Sequence, residues 1–67
     1  MAIIETGISY YSDDVIESYW VKIDRRLITP IHQWCIDSLL SPVIVSDDHI
    51  YLTNLDDYVM FTLRWNS

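Results

Sequence analysis

TNLDDYVMFTLRW, residues 53–65, decides the fold, because a polar start leads directly into a dense apolar run. A segment this apolar is expected to pack against the rest of the chain. Asn54 is a good helix N-cap, and Asp56 and Asp57 then fall in the first turn, at the positive end of the helix dipole. Arg64 lies near the negative end, and Asp57 occupies the capping-box position. These signals predict a C-terminal helix.

An edge strand is the alternative for the same segment. Its large side chains also alternate with the period of two that strands show, at Val59, Phe61, Leu63 and Trp65. The capping and charge signals favour the helix, but the alternation leaves the strand open.

A second helix is predicted from Thr29 to Leu40. Thr29 is a suitable N-cap, and Pro30 fits the first helical position, where its missing N–H costs nothing. Apolar residues then recur every three or four positions, at Ile31, Trp34, Cys35 and Leu39. Pro42 ends the helix, because the residue before a proline avoids helical geometry.

Two Ser-Asp-Asp turns, Ser12–Asp14 and Ser46–Asp48, each lie between apolar runs and predict two hairpins. A short helix starting at Ser12 is the alternative for the first turn. The predicted strands are Ile8–Tyr11, Val15–Ile23, Val43–Val45 and His49–Leu52. The fold class is therefore α+β: a small antiparallel sheet of about four short strands, in the order β-β-α-β-β-α, packed against one central helix and a C-terminal helix.

Size and composition indicate one compact domain over residues 1–67. The chain is 51% hydrophobic, which argues against disorder. Cys35 is a single cysteine, so an intramolecular disulfide cannot form, and a reducing cytoplasm is the expected compartment. No apolar run approaches the roughly 18 residues of a membrane span, so no membrane association is expected.

Ten acids against four bases give a net charge of -6. Such a field repels nucleic acid and attracts basic surfaces, so direct nucleic-acid binding is not expected. The acidic residues either keep the protein soluble or, as the more specific hypothesis, imitate a nucleic-acid surface. Imitation requires the aspartate pairs to project to one side at phosphate-like separations: Asp13-Asp14, Asp47-Asp48 and Asp56-Asp57.

Catalytic and metal chemistry find little support. His32 and Cys35 are three residues apart on one helix face, yet a closed zinc site needs four ligands, and His49 is the only other histidine. One glycine allows no phosphate-binding loop, and so small a chain has little room for both a core and a substrate pocket. We predict no catalytic residues, no metal and no cofactor.

Aromatic residues exceed what one side of so small a domain can bury. Tyr10 and Tyr11, like Tyr19 and Trp20, are neighbours that must point to opposite faces of a strand. Either a second helix covers the other face, or some of these rings are exposed as interface anchors. The predicted partner-binding residues combine both features: Tyr11, Trp20, Asp13, Asp14, Asp47, Asp48, Asp56 and Asp57.

The last 40 residues resemble small accessory proteins of tailed bacteriophages of the large myovirus type. The resemblance is carried by HIYL, NLDD and YVMFTLRW near the end of the chain, with its Phe-x-Leu-Arg-Trp pattern, and by the Trp34-Cys35 pair on the preceding helix. The chain departs from the usual ending because Asn66, not glycine, follows Trp65. This motif is a packing pattern and brings no catalytic residues with it.

The resemblance implies a non-enzymatic accessory protein in the cytoplasm of the infected host. It is expected to bind a host bacterial protein, with inhibition of host defence or transcription as the outcome. The alternative function is a structural subunit, a homodimer or larger assembly or a virion component, in which the surplus aromatic side chains pack against copies of the same chain.

Overall fold

The structure is a computed structural model that describes residues 2–65. Its elements are β1 (Ile3–Ser12), β2 (Val15–Ile23), a single 3-10 turn (Arg25–Leu27), α1 (Ile28–Ser38), β3 (Ile44–Ser46), β4 (His49–Leu52) and α2 (Leu55–Trp65). The predicted α+β class and the order β-β-α-β-β-α are confirmed. The C-terminal segment is a helix, so the edge-strand alternative is wrong.

The four strands form one antiparallel sheet in the order β1-β2-β4-β3. Both Ser-Asp-Asp turns join hairpins, as predicted, which excludes the short helix at Ser12. Asp47 and Asp48 form a two-residue loop in which Asp47 has φ 55°, a left-handed conformation that aspartate tolerates. The first hairpin is longer than predicted because β1 begins at Ile3.

The core lies on one face of the sheet. Val21 and Ile50, which pair across the two central strands, are fully buried there. The other buried apolar side chains are Ile3, Tyr19, Ile23 and Leu52 from the strands, Ile31 and Cys35 from α1, and Phe61 from α2. Both helices therefore cover the same face. The expectation that a second helix might cover the opposite face is not met.

The predicted N-cap of α1 is wrong. Asp24 caps the preceding 3-10 turn through the backbone N–H of Arg26, and that turn continues directly into α1 at Ile28. Thr29 therefore lies inside the helix, and no side chain caps α1 itself. The Arg26 guanidinium also donates to Asp24, and these hydrogen bonds lower the pKa of that carboxyl to about 2.

The start of α2 follows the sequence more closely. The Asn54 side chain accepts a hydrogen bond from the backbone N–H of Asp56 at 2.8 Å, so the predicted N-cap is present. Asp57 does not complete a capping box. Its carboxylate points away from its own helix toward the segment that follows α1.

Candidate interaction surface

The first hairpin extends beyond the rest of the sheet. β4 pairs with β2 only from Tyr19 to Lys22, whereas the pairing of β1 with β2 continues to Ser12 and Val15. Residues 9–18 therefore form a two-stranded ribbon, and Ile8 lies at its base, level with the end of β4. Residues 8–18 are here called the hairpin arm, and residues 11–17 are its tip. The longest dimension of the molecule is 34 Å, against 22 and 21 Å for the other two.

Large apolar side chains of the hairpin arm are exposed. Tyr11 is 80% exposed and Tyr10 is 56% exposed. The remaining apolar residues of the arm are between 41% and 53% exposed: Ile8, Val15 and Ile16. Because β4 ends before this level and both helices pack over the other half of the sheet, the arm has no second layer.

Charge on the arm tip is of one sign. Asp13, Asp14 and Glu17 are all exposed, and no lysine or arginine lies between residues 8 and 18. Lys22 on the same strand lies on the order of 20 Å from Val15, at about 3.3 Å per strand residue. The tip therefore joins exposed apolar side chains to an acidic field that no neighbouring base neutralises.

Trp20, the other aromatic residue predicted to bind a partner, lies on the face of the sheet opposite the helices. Its indole ring packs directly over Gly7, where a Cβ atom would come within 2.3 Å of the ring. The His49 ring lies 5.8 Å from the Trp20 ring and stacks on Tyr51 at 6.2 Å. This row of rings is half-buried by its own packing, so Trp20 is less available than Tyr11.

The structure does not bring the predicted aspartate pairs together. Asp13 and Asp14 are at the arm tip, whereas Asp47 and Asp48 lie at the opposite end of β2, where the Asp48 carbonyl accepts from the Ile23 N–H. The length of β2 separates these pairs by on the order of 25 Å. The first two pairs therefore do not lie side by side, and imitation of a nucleic-acid surface stays a prediction.

The acids of the second turn already have partners within the molecule. Asp47 forms an ion pair with Arg25 at 2.8 Å, and an Asp48 carboxylate oxygen lies 2.9 Å from Nδ1 of His49. Asp56 is exposed at the start of α2. The first pair lies beside the exposed apolar side chains of the hairpin arm, whereas Asp56 lies on α2, which also exposes Leu55, Val59, Met60 and Leu63.

Asp57, also predicted to bind a partner, is only 1% exposed. Its two carboxylate oxygens each accept a hydrogen bond of 2.9 Å, one from the Leu40 N–H and one from the Ser41 N–H. The prediction of a surface role is wrong for this residue, because the carboxylate fixes the chain after α1 against α2. It also explains why α1 ends at Ser38 and not at the predicted Leu40.

A cleft of about 330 Å³ lies beside the C-terminal end of α1. His32 and Cys35 line it together with the apolar side chains of Ile36, Leu39, Leu40, Pro42 and Val43. Burial, reinforced by the negative charge of Asp57, raises the pKa of Cys35 to about 11. The thiol is thus protonated at neutral pH and is a poor nucleophile. Within residues 2–65, no three His, Cys, Asp or Glu side chains are arranged to hold a metal ion.

Sequence reasoning missed Ile8, Val15, Ile16 and Glu17 as surface residues. The available signal was the difference in strand length: the predicted second hairpin is too short to cover the first along its whole length. Alternation alone places a side chain on a face of the sheet, and it does not show whether another layer covers that face at that point.

Neither helix in residues 2–65 is long and apolar enough to cross a lipid bilayer. Comparison of the chain with protein-family models, with curated proteins and with solved structures gave no significant match.

Proposed function

We propose that this chain is a non-enzymatic phage accessory protein that binds a host bacterial protein through the tip of its hairpin arm. One observation carries the proposal: exposed Tyr11 and Val15 flank an acidic turn on an arm that lacks a second layer. Tyrosine is enriched in the centres of protein interfaces, where its ring is buried and its hydroxyl bonds a partner.

The apolar area of the arm is large for so small a protein. With about 200 Å² for a fully exposed large side chain, the exposed fractions of the five apolar residues correspond to on the order of 500 Å². The largest apolar patch on a typical monomer is about 300–600 Å² and is often functional. The exposed apolar area of the arm is thus comparable to that of the largest patch on a typical monomer.

The charge of the arm defines the kind of partner. Asp13, Asp14 and Glu17 surround the apolar residues, so a complementary partner carries an apolar groove with a basic rim. Bacterial proteins that bind nucleic acid present basic surfaces of this kind. Blocking such a surface would inhibit host defence or transcription, which is the outcome we propose.

The absence of activated chemistry in the cleft agrees with a binding role. His32 and Cys35 are the ionisable side chains of that cleft, and the thiol is held in its neutral form. A nucleophile needs a lowered pKa or an adjacent base.

Affinity capture from bacterial lysate tests the proposal. The tagged wild type is compared with a tip variant carrying Tyr11→Ser and Val15→Ser, and with Ile44→Ser, which removes a residue 64% exposed on the distant strand β3. We expect wild type and Ile44→Ser to retain the same host protein, and the tip variant to lose it with an unchanged circular dichroism spectrum.

Salt provides a second readout of the same complex. Because the tip is acidic, raising the ionic strength from about 0.05 to 0.5 M should weaken capture several-fold as the charges are screened. Equal capture by the tip variant, or capture that salt does not affect, would contradict the proposal.

A structural subunit is the second candidate function. It is favoured by a separate feature, the unpaired outer edge of β1, which runs along the whole length of the sheet.

A further inference from the structure

β1 is an edge strand of ten residues whose outer side pairs with no other strand in residues 2–65. Edge strands are usually protected from pairing with other chains by lysine, proline, short length or β-bulges. β1 has neither lysine nor proline, and Glu5 is its only charged residue. Its pairing with β2 has three register shifts, between Ile3 and Glu5, between Ser9 and Tyr10 and between Tyr10 and Ser12. The residue skipped at the middle shift is Glu17 of β2, so β1 itself has no extra residue from Thr6 to Tyr10.

We propose that two copies of this chain associate by antiparallel pairing of their β1 strands, centred on Ile8. This interface goes beyond the proposed host-protein binding, because it uses the outer edge of β1 and leaves the arm tip free. The product is a continuous eight-stranded sheet with the helices of both copies on the same side.

Geometry fixes the register. Opposing residues in an antiparallel pair point to the same face, so the twofold axis must pass through a residue and not between two. An axis at Ile8 places Ile8 opposite Ile8 of the second copy and Thr6 opposite Tyr10 of the second copy. Every residue from Thr6 to Tyr10 then has an opposing residue within the same stretch. An axis at Gly7 would instead pair two glycines and extend into the irregular position at Ile4.

Side chains support this register. Tyr10 is 56% exposed and Ile8 is 41% exposed, and both point to the face that the helices occupy further along the sheet. Thr6 accepts a hydrogen bond from the Tyr58 hydroxyl at 3.0 Å, and Tyr58 stacks on Tyr19. Tyr10 of the second copy would lie beside Thr6 and extend this stack by one ring.

The charges within the paired strands permit the dimer, whereas the net negative charge of each copy weakens it. Glu5 is the only charged residue of β1 and lies outside the paired stretch from Thr6 to Tyr10, so no like charges oppose each other within that stretch. The two exposed side chains and the strand edge bury less than the roughly 1,200 Å² of a standard interface, so we expect a weak dimer. Each copy has a net charge of -6, so added salt should strengthen the dimer, whereas it weakens the proposed host complex.

The test is light scattering after size-exclusion chromatography, and analytical ultracentrifugation, over about 1 µM to 1 mM in buffers of low and high salt. We expect the mass to rise from 8.0 kDa toward twice that value as concentration and salt increase. A mass of 8.0 kDa throughout this range would overturn the proposal.

Charge variants at the axis identify the interface. Ile8→Lys and Ile8→Glu each place like charges opposite each other, so each variant alone should remain monomeric. Mixed in equal amounts, they should form a heterodimer at least tenfold tighter than either homodimer. Ile44→Lys, on the other edge strand, should dimerise as the wild type does. Dimerisation of either Ile8 variant alone, or loss of dimerisation in Ile44→Lys, would overturn the proposal that β1 is the dimer interface. Host-protein capture by the Ile8 variants tests binding by the arm tip separately.

Discussion

Replacing Asp57 with asparagine should unfold much of the protein under conditions in which the wild type is stable. The carboxylate accepts one backbone N–H on each oxygen, from Leu40 and Ser41, and it is 1% exposed. The asparagine amide has one acceptor oxygen, and its NH2 group would face one of the two N–H donors. One hydrogen bond is lost, and a buried donor is left facing another donor.

The size of the loss follows from these contacts. A hydrogen bond to a charged group contributes about 1.5–3 kcal/mol, and leaving a buried donor without a partner costs about 1–3 kcal/mol. We expect the free energy of unfolding to fall by about 2–4 kcal/mol in Asp57→Asn. At about 0.05–0.15 kcal/mol per residue, a chain of this length has only about 3–10 kcal/mol in total.

Urea unfolding followed by tryptophan fluorescence measures this change. Trp34 packs edge-on against both Phe61 and Trp65, so separation of α1 from α2 alters its environment. With a slope near 1 kcal/mol per molar urea, the midpoint should fall by about 2 M or more. Asp56→Asn is the matched control, because it removes the same charge from an exposed neighbour and should cost less than about 1 kcal/mol through the helix dipole. Equal midpoints for Asp57→Asn and the wild type would refute the role of the buried carboxylate.

Two further predictions concern Gly7 and Cys35. Gly7→Ala places a Cβ 2.3 Å from the Trp20 ring, so the ring must move, and we expect a loss of about 1–3 kcal/mol in urea unfolding. Ser9→Ala, two pairs along the strand, should change stability little. At pH 8, Cys35 should react with a chromogenic disulfide reagent at least about 100-fold more slowly in the native protein than in urea. Its pKa is raised from 9.0 to about 11, which lowers the fraction of thiolate. Cys35 is also only 2% exposed, so the reagent cannot reach it. The pKa of Cys35 is higher in the folded state than in the unfolded state, so its contribution to stability is fully present below pH 9 and is lost as the pH rises toward 11. The free energy of unfolding of the wild type and of Cys35→Ala, measured at a series of pH values, tests this. Rapid labelling of the folded protein would contradict the burial of the thiol.

Local signals in the sequence predicted the elements well. The Ser-Asp-Asp turns gave both hairpins, and Asn54 with the acids after it distinguished a helix from a strand in the last segment. The groups that form these turns and caps are neighbours in the chain, so a short stretch of sequence is enough to predict them. The start of α1 was misplaced because Asp24 competes with Thr29 as a cap, and Asp24 caps a turn that the helix then continues.

Features that depend on distant residues were harder to predict. Asp56 and Asp57 are adjacent and chemically identical, yet one is exposed and the other is bound to backbone groups 16 and 17 residues away in the chain. Their different roles depend on where the segment after α1 passes α2. The hairpin arm was missed for the same reason, since its exposure depends on where β4 ends relative to β2.

Because the arm projects past β4 and the helices, its tip residues and the core residues are under different constraints. If the proposed function holds, substitutions at Tyr11 or Val15 would alter recognition without creating a void in the core, because no core side chain packs on them. A lineage of such proteins could therefore change targets by rewriting one short turn, while residues such as Ile50 and Phe61 stay constrained by folding. Insertions that lengthen the ribbon in pairs of residues would preserve its facing and extend its reach by about 3.3 Å per residue on each strand.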